Sequence, residues 1–351
     1  MSKPATAVDP QVDFTPESLS TSFQKYRTEL MEMPMFEMAP ALAHMTIRQG
    51  IRYQEHVHEM KGDFEIGPYD KYKMGNGELE IVQRTLQTFF GNCIEPIDVN
   101  SIYMSLWGSD INKGEALKNV PWTKRVCGYI MRQLGEKLFD VMWTAKRNPA
   151  GKKTRDLFNG FSTIEDTEIL AGKMSAQLQN FCPILGLAGE DGITADNAED
   201  VLKEFVWGNT EANWAGVHAK LRDARGLKLF MSDRTKHLYE EAYQINHGAL
   251  PYNQQYQKAH LEGKTNIEFV ALGNVPDNYL ALTSKTNILS LWNKKGQDET
   301  FLVEKSLTSH YDLDFIANLF YGEEYLSINK EMLCVCKAQP VAPSGGNGGQ
   351  G

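Results

Sequence analysis

The stretch from Pro121 to Lys146, PWTKRVCGYIMRQLGEKLFDVMWTAK, sets the first limit on what this chain can fold into. Val126, Ile130, Leu134, Leu138, Val141 and Ala145 recur at steps of three and four, the spacing of one helical face. Proline at the first position lacks only an N–H that would be unpaired there anyway, and Asn148-Pro149-Ala150-Gly151 supplies the stop. At about 1.5 Å per residue such a helix runs roughly 40 Å. Helices average about twelve residues, so this one reads as an architectural element.

Ahead of it the period changes to two. Ile51, Tyr53 and Val57 fall on one face of a strand, and Arg52, Gln54, His56 and His58 on the other. A second strand runs from Glu78 to about Phe90. Its apolar set shifts from Leu79 and Ile81 to Val82, Leu86 and Phe90, which predicts a bulge or twist. Between the strands lies FEIGPYDKYKMGNGELEI, residues 64–81, with turn signals at Gly67-Pro68 and Gly75-Asn76-Gly77. Residues 46–95 therefore read as a long β-hairpin arm. A two-stranded ribbon is marginal alone, so something else must hold it.

The remaining segments mix helix and strand, giving an α+β class. Residues 1–14 read as a flexible leader. Thr15-Pro16-Glu17 opens a helix carrying Leu19, Phe23, Tyr26 and Leu30. LFNGFSTI, residues 157–164, reads as a loop and short strand. Asp196 to Glu199 resembles a capping box before Val201, Leu202 and Phe205, with a stop at Gly208. Trp214, Val217 and Leu221 suggest a second helix. Leu227–Met231 reads as a strand and Asp233 as the cap of a further helix. IEFVAL (267–272) and NYLALTS (278–284) read as strands joined by the turn Val275-Pro276-Asp277-Asn278, and 301–337 as strands again. The end, PSGGNGGQG, reads as a flexible tail.

Composition excludes several classes. The net charge is −9, from 36 basic and 45 acidic residues, which does not suit a general binder of nucleic-acid phosphates. No apolar run is long enough for a membrane span, and the N-terminus lacks the pattern of a signal peptide. The scattered cysteines Cys93, Cys127, Cys182, Cys334 and Cys336 fit reduced thiols in a cytoplasmic setting. No cofactor motif is complete. Gly263-Lys264-Thr265 lacks the earlier glycine of a phosphate loop, because position 258 is Lys258.

The chemical candidates for a metal are His56 and His58, whose rings share one strand face. With Gly50 ahead of them they resemble the first motif of cupin metal enzymes, a metal-dependent class. Asp63 and Asp70 stand where that motif has a glutamate and a glycine. A polar strand face is the favoured reading, with no catalytic, cofactor or metal residue assigned. Cys334 and Cys336 read as buried packing.

The order of segments resembles the major capsid proteins of tailed bacteriophages, the Hong Kong 97 fold. So does the wording of MTIRQGIR (45–52), LGEKLFDVMWTAKRNPAGKKTRDLFNGF (134–161), VPDNYLALTSKTNILSLWNKKG (275–296) and FLVEKSLTSHYDLDFIANLFYGEEYLSINKEMLCV (301–335), with capsids of phages of Bacteroides-like hosts in particular. The resemblance implies an N-terminal arm at 1–45, an extension loop at 46–95, and a peripheral domain at 96–170 with its spine helix at 121–146. It further implies an axial domain at 171–300, return strands of the peripheral domain at 301–338, and a tail at 339–351. The implied function is an icosahedral shell of pentamers and hexamers around double-stranded DNA, without catalysis. An encapsulin-like compartment shares the fold and stays open as an alternative.

In such a shell the arm would lie across a neighbouring subunit. Phe64, Ile66, Tyr69, Tyr72 and Met74 are then the candidates for that contact. The implied partners are further copies of the chain, with scaffold, portal and decoration proteins, and no membrane. The implied location is the virion capsid, assembled in a bacterial cytoplasm. The implied arm is too short for the scaffolding segment that many members carry, so a separate scaffold protein or a mature form is expected. Lys61, Lys71 and Lys73 lie in the hairpin, but no partner motif for cross-linking accompanies them.

Overall fold

The computed structural model describes residues 34, 37–62, 64, 67, 77, 79–98, 122–247, 259–292, 301–306 and 312–341. The helix expected from Thr15, the contact candidates Ile66, Tyr69, Tyr72 and Met74, and the tail from Ala342 lie outside these residues. The strands are β1 Thr46–Gln49, β2 Gln54–Gly62, β3 Leu79–Gln87, β4 Phe89–Asp98, β5 Phe181–Pro183, β6 Leu227–Ser232, β7 His260–Leu261, β8 Lys264–Leu272, β9 Leu280–Ser284, β10 Ile288–Trp292, β11 Phe301–Lys305, β12 Asp312–Tyr325 and β13 Leu333–Lys337. The chain divides into two units, residues 38–89, 137–294 and 320–351 in one and 1–37, 90–136 and 295–319 in the other.

The larger unit is built on a six-stranded sheet of order β5-β13-β9-β6-β8-β7. β6 is parallel to β8, with Leu227 opposite Ile267, and antiparallel to β9, with Leu229 opposite Leu282. The turn after β8 therefore makes no hairpin, because β6 lies between the strands it joins. β6 is buried along nearly its whole length, and an apolar strand of that kind takes a central place.

Two helices pack on this sheet. Ala198–Trp207 contributes Val201, Leu202 and Phe205 to the core, and Asp233–His247 contributes Tyr239 and Ala242. The cap of the second helix is Ser232, whose Oγ accepts the Thr235 N–H at 3.0 Å, one residue before the expected Asp233. The helix expected around Trp214 shrinks to Ala219–Arg222. Gly216 has φ +84, and a Cβ there would stand 2.7 Å from the Trp207 carbonyl carbon. That close approach turns the chain, and Trp214 is buried from a loop with its Nε1–H on the Phe205 carbonyl.

The segment LFNGFSTI is not a strand. Gly160 starts a helix, Phe161–Leu170. Phe161, Ile164, Glu165 and Ile169 are buried at helical spacing, so packing overrides the strand preference of its threonines and isoleucines. Phe161 meets Trp143, which also touches Phe230 and Tyr279.

β13 joins the six-stranded sheet, pairing with β9 and with β5. β10 pairs instead with β1, in parallel, and with residues 321–325 of β12. The arm is also corrected. Gly50 (φ +92) and Tyr53 (φ +66) end β1, so only β2 and β3 form the hairpin, and β4 pairs with β12. Thr88 marks the handover, its N–H on the Tyr53 carbonyl at 2.8 Å and its Oγ1 on that of Ile51. The shift of apolar face lies between Ile81 and Val82 within the unbroken β2–β3 register, so it marks two apolar faces of one strand, and the change of partner follows at Thr88.

In the smaller unit, β11 pairs antiparallel with residues 313–317 of β12. The long helix runs Trp122–Val141, shorter than the expected 121–146. Its buried line is Gly128, Met131, Gly135 and Leu138, continuing to Met142 and Ala145, while Ile130, Leu134 and Val141 are half-buried. The face is rotated from the one read off the larger residues. A Cβ at Gly135 would stand 2.6 Å from the Pro34 Cα, so a glycine lets another backbone lie against the helix.

Candidate assembly surface

The hairpin places its residues by strict alternation. β2 and β3 pair from Gln54 opposite Gln87 to Gly62 opposite Leu79. His56, His58 and Met60, with register partners Thr85, Gln83 and Ile81, share one face. Val57, Glu59 and Lys61, opposite Arg84, Val82 and Glu80, share the other.

The second face is anchored. Leu86 is fully buried with Ile51, Leu289 and Leu291, and Val57 and Leu326 pack against them. Ser327 Oγ donates to Glu59 Oε2 at 2.7 Å. Arg84 donates from Nε to the Tyr325 carbonyl at 2.7 Å, from Nη2 to Glu324 Oε1 at 2.6 Å, and from Nη1 to Glu168 Oε1 at 3.1 Å. Burial pushes the Glu324 carboxyl above its usual range, and the guanidinium opposes that shift.

The first face has no such cover among the described residues. Met60 is 71% exposed, Ile81 58% and Leu79 55%, with Phe64 beyond them at 67%. These side chains cluster at the far end of the ribbon, where apolar surface gains most from a partner. Phe64 is the one expected contact residue within the described structure. Met60, Leu79 and Ile81 join it, and β-alternation from the paired register would have found them.

His56 and His58 lie on the same exposed face, and His56 Nδ1 is 3.1 Å from Thr85 Oγ1. Among the described residues no three His, Cys, Asp or Glu side chains lie close enough to hold a metal ion. No helix among them is long and apolar enough to cross a membrane. Cys334 and Cys336 lie in the apolar core with Cys182, and burial raises both thiols well above the ordinary range.

Sequence reading also missed a buried polar layer. Glu165 accepts the hydroxyls of Tyr279 and Tyr325, and Lys337 Nζ stands 3.4 Å from its Oε2 and 2.7 Å from Asp166 Oδ1. Glu323 accepts the Tyr321 hydroxyl at 2.6 Å, and its Oε2 has no partner among the described residues. Burial raises both carboxyls, and Lys337 opposes the shift at Glu165. The signal was the alternation Tyr321, Glu323, Tyr325, which puts an acid between two aromatic rings on one strand face.

No family model matches this sequence, and no curated protein matches it. Solved structures do. The chain is similar to "Capsid of native GTA particle computed with C5 symmetry", at 13% identity and TM-score 0.53, over 97% of this chain and 96% of that one. The corresponding empty particle gives 13% and 0.53 over 86% and 90%. A holo-SrpI encapsulin complex from Synechococcus elongatus aligns at 10% and 0.45 over 84% and 85%. The chain has the Hong Kong 97 capsid fold of mixed helix and sheet.

Proposed function

We propose that this chain is a major capsid protein that self-assembles into an icosahedral shell around the double-stranded DNA of a tailed phage. The observation that carries the reading is the end-to-end match to a capsid subunit, 97% of this chain on 96% of the other. The bare apolar end of the hairpin supports it, since a shell subunit needs a neighbour to cover that surface. Pentamers and hexamers satisfy this through repeated heterologous contacts that close. The acidic net charge suits a shell whose DNA is driven in rather than condensed on basic tails. The role is structural, the location is the virion, and assembly takes place in the host cytoplasm with scaffold and portal proteins, decoration proteins being added to the shell.

Electron microscopy of the expressed chain, alone and with the scaffold gene beside it, tests the reading. Closed shells with rings of five and six subunits are expected. Shells filled with a co-expressed protein cargo would favour an encapsulin-like compartment. A stable monomer or dimer under every condition, holding one equivalent of zinc, iron or manganese lost on replacing His56 and His58 with alanine, would favour the metal enzyme.

A further inference from the structure

Three cysteines meet in the core of the six-stranded sheet, and one pair stands apart in its geometry. Cys182 on β5 and Cys336 on β13 are register partners on adjacent parallel strands, both on the face that packs under the helices. Both side chains are buried in the same apolar cluster, and the Cys182 Sγ lies 3.8 Å from the Pro183 carbonyl oxygen. Cys334, on the same face, is register partner to Leu282 of β9 instead. All three are unoxidised.

We propose that Cys182 and Cys336 are a redox pair that closes to a disulfide by exchange with a small-molecule disulfide, stapling β5 to β13. Neighbouring strands lie about 4.8 Å apart, and a disulfide needs Cβ atoms roughly 3.5–4.5 Å apart. Closure therefore draws β5 inward by roughly 0.3–1.3 Å. β5 can yield, being a three-residue strand at the edge of the sheet, paired on one side alone among the described residues.

A buried thiol is inert while buried, so the reaction needs an opening. Short edge strands open at little cost, and lifting β5 exposes both sulfurs together. The thiolate of one cysteine attacks a sulfur of the small disulfide and expels one small thiolate. The second cysteine, deprotonated, attacks the protein sulfur of the mixed disulfide and expels the other. Two protein thiols become one S–S bond, the small-molecule disulfide gains two electrons, and the two protons pass to the thiols released. In a reducing cytoplasm the pair stays open, and it closes once the protein meets an oxidising medium. None of this depends on assembly, so the test is made on the purified subunit.

The full chain is incubated with oxidised glutathione, quenched with alkylating agent under denaturing conditions, and mapped by mass spectrometry. The expected result is a loss of roughly 2 Da in intact mass. A single linked peptide pair should contain Cys182 and Cys336, with Cys93, Cys127 and Cys334 alkylated. The melting temperature should rise by roughly 5 °C and return on adding dithiothreitol. C334A should still form the link, whereas C182A and C336A should not. Five alkylatable thiols after oxidation, a link through Cys334, or a stable glutathione adduct alone would each overturn the proposal. The mapping on the unsubstituted chain decides the matter even if a variant fails to fold.

Discussion

Arg84 shows how much can rest on one side chain. Its guanidinium is 14% exposed and joins β3 to the end of β12 and to the helix Phe161–Leu170 through Glu324, Glu168 and the Tyr325 carbonyl. The planar fork suits three acceptors at once. Removing it leaves Glu324 with little water and without its Arg84 counter-charge, while Glu168 keeps Lys173 at 3.0 Å. Arg84→Ala should therefore destabilise the subunit by about 3–5 kcal/mol, as breaking a buried ion pair does, read from the urea midpoint. Arg84→Lys should recover only part of that, because an ammonium cannot hold the same geometry. A variant within error of the parent would show that Glu324 simply takes up a proton, the shift that burial already favours.

Among the elements, the hairpin is the one whose two faces differ most. Its inner face is tied down by Leu86, Glu59 and Arg84, while Met60, Leu79, Ile81 and Phe64 stand in water. Replacing Met60, Leu79 and Ile81 together with serine should leave the subunit's melting temperature within a few degrees of the parent, since exposed side chains contribute little to folding. The same change should abolish closed shells. Each such side chain contributes roughly 1.5–3 kcal/mol when covered, less the cost of ordering the partner. Normal particles from this variant would mean that the outer face is not a contact. A subunit that fails to fold would place the three residues in an internal core. Replacing Gly62 to Glu78 with an Asn-Gly turn tests the rest of the arm, including the candidates Ile66, Tyr69, Tyr72 and Met74, by the same pair of measurements.

For the whole molecule, buried acids set how stability follows pH. Burial raises Glu165 and Glu323 above the unfolded value near 4.3. Between that value and the raised one the native state binds the extra protons, so stability is full below the unfolded pKa and falls as pH rises through the folded pKa. At Glu199 burial opposes ionisation, but hydrogen bonds from Lys203, Asn246 and His247 bring the carboxyl down to about 2. Its contribution is present above the unfolded value and is lost as pH falls toward about 2. A stability maximum at mildly acid pH is expected. Glu323→Gln should flatten the alkaline limb and leave the acid limb unchanged, measured as urea midpoints across pH; unaltered slopes would show that Glu323 is ionised in the native state. Glu165 left no signal in the sequence, whereas the alternation Tyr321, Glu323, Tyr325 was the one that marked Glu323.

By itself the sequence determined the kinds of element and the alternation within them. The long helix, β2, β3, β6, β8, β9 and β11 to β13 follow from period, turn residues and caps, which act over a few residues and are written locally. Only the tertiary structure decided which strand lies beside which, that β6 parts β8 from β9 and that β13 sits next to β5. It also decided the buried line of the long helix, where the Pro34 backbone lies against Gly135 and not against one of the larger residues that periodicity weights. Strand neighbours and close backbone contacts are fixed by surfaces distant in the chain, and no local spacing encodes them.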